Sequence, residues 1–258
     1  MQSTTALASL LVACLAAGAA SDAALDSFVQ RARDLSEGGD IMLTMGNSGY
    51  LDFMLNWAAS LDRVGVRNYI AVALDTVAYE GLAAASVNVH FDVALTGNTT
   101  SGTPRFKSEE YINIVTLKPR LISFLLHAGL NVLWCDGDIV LFVNPWDEIH
   151  DAARHRRTRG HGDDIAERAA SEPAHIVTQT DSHWNYTMRH IRRFANSGFT
   201  YYRHSPLILT FAKCMLGFFG LPEGVGQMDQ DALNWCIHFW NQVALILSYV
   251  GHATPQLF

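Results

Sequence analysis

Short apolar runs that end at a turn or an acidic residue, separated by amphipathic stretches, constrain the fold of this chain most strongly. Asp40-Ile41-Met42-Leu43-Thr44-Met45 reads as a buried strand and runs into the turn signal Gly46-Asn47-Ser48-Gly49. Leu51, Met54, Leu55, Ala58 and Leu61 then fall at helical spacing. Tyr69–Leu74 reads as a second strand ending at Asp75, followed by a helix through Tyr79–Ala85 and a strand at Val87–Val93. Ser108 with Glu109 and Glu110 starts a long helix that meets Pro119 and resumes to Gly129. Asn131–Cys135 is the next strand and leads directly into Asp136-Gly137-Asp138. This order implies an α/β fold: a mainly parallel, Rossmann-type sheet with helices on both faces. Ligands of such sheets bind beyond the carboxyl ends of the strands, where Asp75 and Asp136 stand.

The 258 residues hold one domain with a core that needs no disulfide framework. An excess of 25 Asp+Glu over 18 Lys+Arg makes the chain a poor general binder of nucleic acid or of anionic membranes. Thr4–Ala20 is uncharged, too short for the roughly 20 residues of a membrane span, and carries Ala17-Gly18-Ala19, an A-x-A cleavage pattern. Residues 1–20 are therefore expected to be a signal peptide or short signal-anchor, with residues 21–258 forming a single domain. The alternative is an Ala-rich first helix of a cytosolic domain. The sequons at Asn98 and Asn185 agree with entry into the secretory pathway. Without Cys14, the remaining Cys135, Cys214 and Cys236 allow at most one bridge, with Cys135 expected buried and free.

The mixed-charge run at 151–173 is expected to be a solvated helix or loop, with phosphate or acceptor binding as the second reading. Ala232–Gly251 lacks formal charge, but Asn234, His238, Asn241 and Gln242 speak against a membrane span. A buried helix followed by a strand is expected there.

Leu133–Phe142 carries the most chemistry. Two carboxylates two residues apart, bracketed by apolar strands, are costly to leave uncompensated. A divalent cation, Mn²⁺ or Mg²⁺, suits hard oxygen ligands and would neutralise charge growing on a diphosphate leaving group. The same string also fits the D-x-D-x-[TV] nucleophile motif of haloacid-dehalogenase-type phosphatases, with Asp136 phosphorylated.

Several separated motifs give a more specific indication. These are Asn47–Phe53 with Asn56-Trp57, Tyr69–Asp75, Lys118, Trp134–Pro145, Gln179-Thr180-Asp181, Asn196–Phe199 with Tyr202-Arg203, and Asp229-Gln230. In this order they resemble the D-x-D-containing nucleotide-diphospho-sugar transferases that include plant cell-wall xylosyl- and arabinosyltransferases. The resemblance covers roughly residues 40–250.

The resemblance implies a GT-A-like fold. It also implies transfer, with retention, from a nucleoside diphosphate sugar, usually UDP-linked, to a glycan or glycoprotein acceptor. On this reading Asp138 is a direct metal ligand, and Asp136 reaches the metal or the ribose. Asp75 contacts the nucleoside, and Lys118 offsets diphosphate charge. Asn196 and Gly198 shape the donor-sugar pocket. Asp181, Asp229 and Gln230 serve sugar hydroxyls or the oxocarbenium-like transition state. Lys118 could instead be a surface residue, and Asp75 and Asp229-Gln230 could be helix caps. Trp134, Trp146 and Trp184 read as core or platform.

The expected location is the Golgi lumen or the secreted space, with membrane attachment only through the N-terminal segment. GT-A enzymes commonly take a further metal ligand from beyond the last strand. Ala253–Phe258 resemble the approach to that segment, so the domain is expected to be incomplete at its C-terminus. A non-catalytic secreted nucleotide- or sugar-binding relative is the reading from another class.

Overall fold

Residues 41–45, 69–73 and 132–135 are apolar almost without a break and alternate between two buried faces, so this part of the sheet needs helices on both sides. The computed structural model describes residues 22–97, 102–154, 174–181 and 194–249. The expectations for residues 1–20, for Asn98 and Asn185, for Trp184, for Ala253–Phe258 and for most of 151–173 lie outside them.

Six strands form one sheet in the order β3-β2-β1-β4-β6-β5. They are β1 (Asp40–Gly46), β2 (Tyr69–Ala73), β3 (Val89–His90), β4 (Asn131–Cys135), β5 (Ile176–Asp181) and β6 (Phe194–Tyr202). The pairs β3–β2, β2–β1 and β1–β4 are parallel, whereas β4–β6 and β6–β5 are antiparallel. The expected α/β class is the class observed.

Ile41, Leu43, Ile70, Val72, Val132 and Trp134 face one core cluster; Met42, Ala71, Ala73, Leu133 and Cys135 face the other. The first face is covered by α1 (residues 22–35), α5 (Glu109–Val115), α6 (Leu117–His127), α8 (Pro206–Phe218) and α9 (Asp229–Tyr249). The second is covered by α2 (Leu51–Val64), α3 (Thr76–Ala84) and α7 (Trp146–Arg154). Helix α1 presents Ala24, Phe28 and Ala32 to the core at four-residue spacing.

Four elements differ from the sequence expectation, the first being the apolar strand expected after Asp138: residues 139–145 form no strand, and only β4 before Asp136 is one. The strand expected at Val87–Val93 shrinks to Val89–His90, because Asp92 caps the short helix α4 (Val93–Thr96) by accepting from the Ala94 amide. The long helix from Ser108 is split at Thr116. Pro119 is then the third residue of α6, where a missing N–H costs no intrahelical bond. The helix and strand expected across 232–251 are one helix, α9, through Tyr249. No Gly or Pro interrupts that stretch, and Asn234 satisfies a neighbouring strand without leaving the helix: it accepts from the Ala195 amide and donates to the Ala195 carbonyl, each at 2.9 Å. No helix among the described residues is long and apolar enough to cross a membrane.

Cys214 and Cys236 are disulfide-bonded and tie α8 to α9, while Cys135 is free and buried. Burial pushes the Cys135 thiol up to about 12, overriding a hydrogen bond from the Trp57 indole.

Candidate functional site

Successive strands run outward from β1 to β3, and the chain then returns to place β4 on the other side of β1. Strand order therefore reverses between β1 and β4, and a parallel sheet opens a crevice beyond the carboxyl ends at such a point. A cavity of about 800 Å³ lies there. Met45 and Gly46 from the end of β1 line it, as do Trp134, Asp136, Gly137 and Asp138 from the end of β4 and the following turn. Asn196, Ser197 and Gly198 of β6 and Asp229 and Gln230 at the start of α9 complete one wall.

Strand β6 reaches the cavity through an irregularity. Thr178 pairs with Thr200 but the next residue, Gln179, pairs with Asn196, so Ser197–Phe199 bulge out of the β5–β6 ladder. The bulge meets the end of β4, where the Asp136 amide donates to the Gly198 carbonyl at 2.7 Å. Asn196 Oδ1 accepts from the Gly198 amide at 2.7 Å. A Cβ on Gly198 would stand 2.8 Å from Asp136 Oδ2 and 2.9 Å from Asn196 Oδ1, so only glycine brings the strand this close. The close approach that Gly198 permits is thus to two side chains of the chain itself. Gln230 holds the same bulge, its Oε1 accepting from the Ser197 amide at 3.3 Å.

Lys118 is buried, which removes the reading of a surface residue. Its Nζ lies 3.2 Å from Asp136 Oδ1 and 2.7 Å from Asp229 Oδ2. It also sits 4.7 Å from the centroid of the Trp134 ring, a cation–π contact. The Trp134 indole in turn donates to Asp136 Oδ1. Burial alone would lower the Lys118 ammonium, but the charges of Asp136 and Asp229 outweigh it and hold the group above its ordinary value. Burial alone would raise Asp136, yet Lys118 and the Trp134 hydrogen bond hold it below the usual carboxylate range. The charge of Asp136, for which an external cation is the expected compensation, is thus already met by a lysine of the chain. Asp138 is exposed at the cavity.

Asp75 has a different place. Its Oδ1 accepts from the Ala78 amide at 2.7 Å, capping α3, and its Oδ2 accepts from the Ser48 amide and hydroxyl at 2.9 and 2.8 Å. Burial would raise its pKa, but these hydrogen bonds prevail and lower it. Asp75 does not line the cavity described above. Asp229, in the first turn of α9, is committed to Lys118 rather than to capping; at that helix start the Met228 amide donates to Asp231 Oδ2 at 3.0 Å. Asp181 closes β5 opposite Phe194, and its side chain lies outside the described part. Trp134 and Trp146 are both buried in the core.

Tyr50 and Tyr111 also line the cavity, and neither had a role assigned from sequence. Both phenols are raised, first by burial and then by nearby charge, from Asp138 on Tyr50 and from Tyr50, Asp229 and Asp136 on Tyr111. Lys107 and Phe106 belong to the polar loop after residue 96, where the sequence offers the Asn98 sequon but nothing that points to a ligand.

Among the described residues no three His, Cys, Asp or Glu side chains converge on one point. Mg²⁺ and Mn²⁺ do not demand such a cage, since one or two carboxylates plus substrate phosphates complete their shell. Asp138, exposed at the cavity, and Asp136 on the same turn fit that donor set.

A family model described as nucleotide-diphospho-sugar transferase matches residues 64–240. Beta-arabinofuranosyltransferase RAY1 of Arabidopsis thaliana is 29% identical over 105 residues, 41% of this chain and 20% of that protein. Arabinosyltransferase XEG113 of the same plant is 32% identical over 108 residues, 41% of this chain and 16% of its own length. The matched stretches thus span a fifth or less of these relatives. A solved structure of the apo bifunctional glycosyltransferase WbbM superposes with a TM-score of 0.45 at 15% identity, covering 76% of this chain and 37% of that one.

Proposed function

The chain belongs to the nucleotide-diphospho-sugar transferase family, and on that premise we propose that it moves a sugar from a UDP-linked donor to a glycan or glycoprotein hydroxyl, with retention at the anomeric carbon. The phosphatase reading of Asp136 is set aside by that membership. One observation carries the proposal. The Asp136-Gly137-Asp138 turn, the Asn196–Gly198 bulge and the Asp229-Gln230 pair, far apart in sequence, line a single cavity at the strand-order reversal.

Asp138, with Asp136, would hold Mn²⁺ or Mg²⁺ together with the donor diphosphate, and the ion when bound supplies neutralisation of the leaving group. Lys118 positions the two carboxylates on either side of it. Asp229, buried, and Asp136, whose side chain is partly exposed, each present carboxylate oxygens that can accept a hydrogen bond from a ribose or sugar hydroxyl. Asn196 and Gln230 provide amide groups for the donor sugar, oriented by their own bonds to the β6 bulge. Asp181 is a further candidate for the reacting sugar. Tyr50, Phe53 and Phe106 contribute apolar, aromatic surface to the cavity lining, suited to a planar base.

The Cys214–Cys236 disulfide supports action in an oxidising compartment, in line with a Golgi or secreted location reached through residues 1–20. The printed activities of the two plant relatives make arabinose the first donor sugar to try.

The test is a donor screen. Purified protein with Mn²⁺ is incubated with UDP-arabinose, UDP-xylose, UDP-galactose and UDP-glucose, and UDP release is measured. Release from one donor in preference to the others supports the proposal. Metal-dependent UDP binding with no release from any of them identifies a non-catalytic relative instead.

A further inference from the structure

The charged side chains lining the cavity among the described residues are Lys107, Lys118, Asp136, Asp138, Asp229 and Asp231. Four carboxylates against two ammonium groups leave the lining short of positive charge for a diphosphate beyond what a divalent ion at Asp136 and Asp138 would supply, and the imbalance is greater than it looks. Lys118 is enclosed between Asp136 and Asp229 and only 6% of its side chain is accessible, so its charge is already matched within the protein. Lys107 is the opposite case. It is exposed, it lines the cavity, and it makes no ion pair among the described residues.

The backbone around Lys107 is built to hold it at the rim. Asn47 Nδ2 donates to the Gly102 carbonyl at 2.7 Å and Thr103 Oγ1 donates to the Gly49 carbonyl at 3.2 Å, fastening Gly102-Thr103 to the turn after β1. The fit leaves no room for a side chain at Gly49, where a Cβ would stand 2.4 Å from Thr103 N. The loop then closes a four-residue turn, the Ser108 amide donating to the Arg105 carbonyl at 2.9 Å. Lys107 is the third residue of that turn and has φ of 62°, a conformation glycine favours and a lysine adopts at a cost. Its Nζ lies 5.8 Å from the centroid of the Phe106 ring, itself a cavity residue. A strained, exposed cation on a fastened loop, lining the same cavity as four carboxylates yet paired with none of them among the described residues, is better explained by an anionic ligand than by stability.

We propose that Lys107 is the side chain that receives the donor's diphosphate at the cavity rim. This rests on the reading of the cavity as a nucleoside diphosphate site. An ammonium there contributes a charge-assisted contact to phosphate and none to the nucleoside.

Calorimetric titration with UDP, GDP and uridine in Mn²⁺ buffer tests it, comparing the natural chain with K107Q, K107R and K107G. The expected result is that K107Q weakens UDP binding about tenfold or more while uridine binding is unchanged, and that K107R stays within about threefold of the natural chain. K107G relieves the backbone conformation but removes the charge, so its Tm should be no lower while its UDP affinity falls as far as that of K107Q. Equal UDP affinity of K107Q and the natural chain overturns the role of Lys107 and leaves the nucleotide site standing. Failure of the natural chain to bind UDP or GDP overturns the nucleotide-site reading and this inference with it.

Discussion

Lys118 Nζ lies 2.7 Å from Asp229 Oδ2, with both side chains more than nine-tenths buried, so α6 and the start of α9 are joined through an ion pair at the cavity wall. Removing one member of a buried pair leaves an uncompensated charge, which costs far more than the pair contributes net. K118M should therefore destabilise the fold by about 3–5 kcal/mol, since both Asp136 and Asp229 lose their cation. Urea denaturation measures this directly, and a loss below about 1 kcal/mol would show that the two carboxylates find other partners.

The same network sets a pH window. Asp136 is held below its ordinary value, so its contribution is present above the unfolded value of about 3.9 and is lost as pH falls through the folded value. Lys118 is held above its ordinary value, so its contribution is full below the unfolded value of about 10.4 and is lost as pH rises through the folded value. The Tm difference between the natural chain and K118M should be largest between about pH 4 and 10 and shrink at both ends. Thermal scans across pH check the shape, and a difference that grows toward either extreme contradicts it.

G198A probes the approach of β6 to the end of β4. The new methyl would meet Asp136 Oδ2 and Asn196 Oδ1, and Asp136 cannot swing aside cheaply while Lys118 and Trp134 hold its other oxygen. Overpacking of this kind costs about 1–3 kcal/mol. Displacement of the carboxylate should lower kcat/KM for the donor about 10–100-fold, since each 1.36 kcal/mol is tenfold in rate. Steady-state kinetics beside a thermal scan separates the two effects.

Cys214 and Cys236 close a loop with a sequence separation of 22 residues. On the chain-entropy view such a bridge stabilises by about 3 kcal/mol, and α9 carries Asp229, Gln230 and Asn234 on the far side of it. C214S with C236S, or dithiothreitol, should lower stability by about that amount and shift mobility on a non-reducing gel. No change in either readout would mean that the thiols are not bridged.

The parallel half of the sheet was legible because its information is local: Asp40–Met45, Tyr69–Leu74 and Asn131–Cys135 are apolar runs with turn or acidic residues at their ends. What was not legible depends on partners distant in sequence. Val87–Val93 has strand-forming residues, yet only Val89 and His90 find a partner at the sheet edge. Nothing in Asn196–Phe199 announces a bulge, which arises from competing pairings with β5 and β4. The D-x-D turn stood out as chemistry, but the compensation of Asp136 by Lys118 needs the packing of α6 on the first face of the sheet. Lys107 sits in a polar loop whose Asn98 sequon says nothing about it, and only its φ and its place at the cavity single it out.

Metal-dependent donor hydrolysis by the natural chain and by D138A tests the central claim most directly. Asp138 is exposed, so its removal should leave Tm unchanged and report on chemistry alone. The account predicts that the natural chain releases UDP from a UDP-sugar in Mn²⁺ and that D138A does so at least about 100-fold more slowly. Hydrolysis by D138A at the natural rate, or UDP binding by the natural chain with no release from any donor, would contradict it.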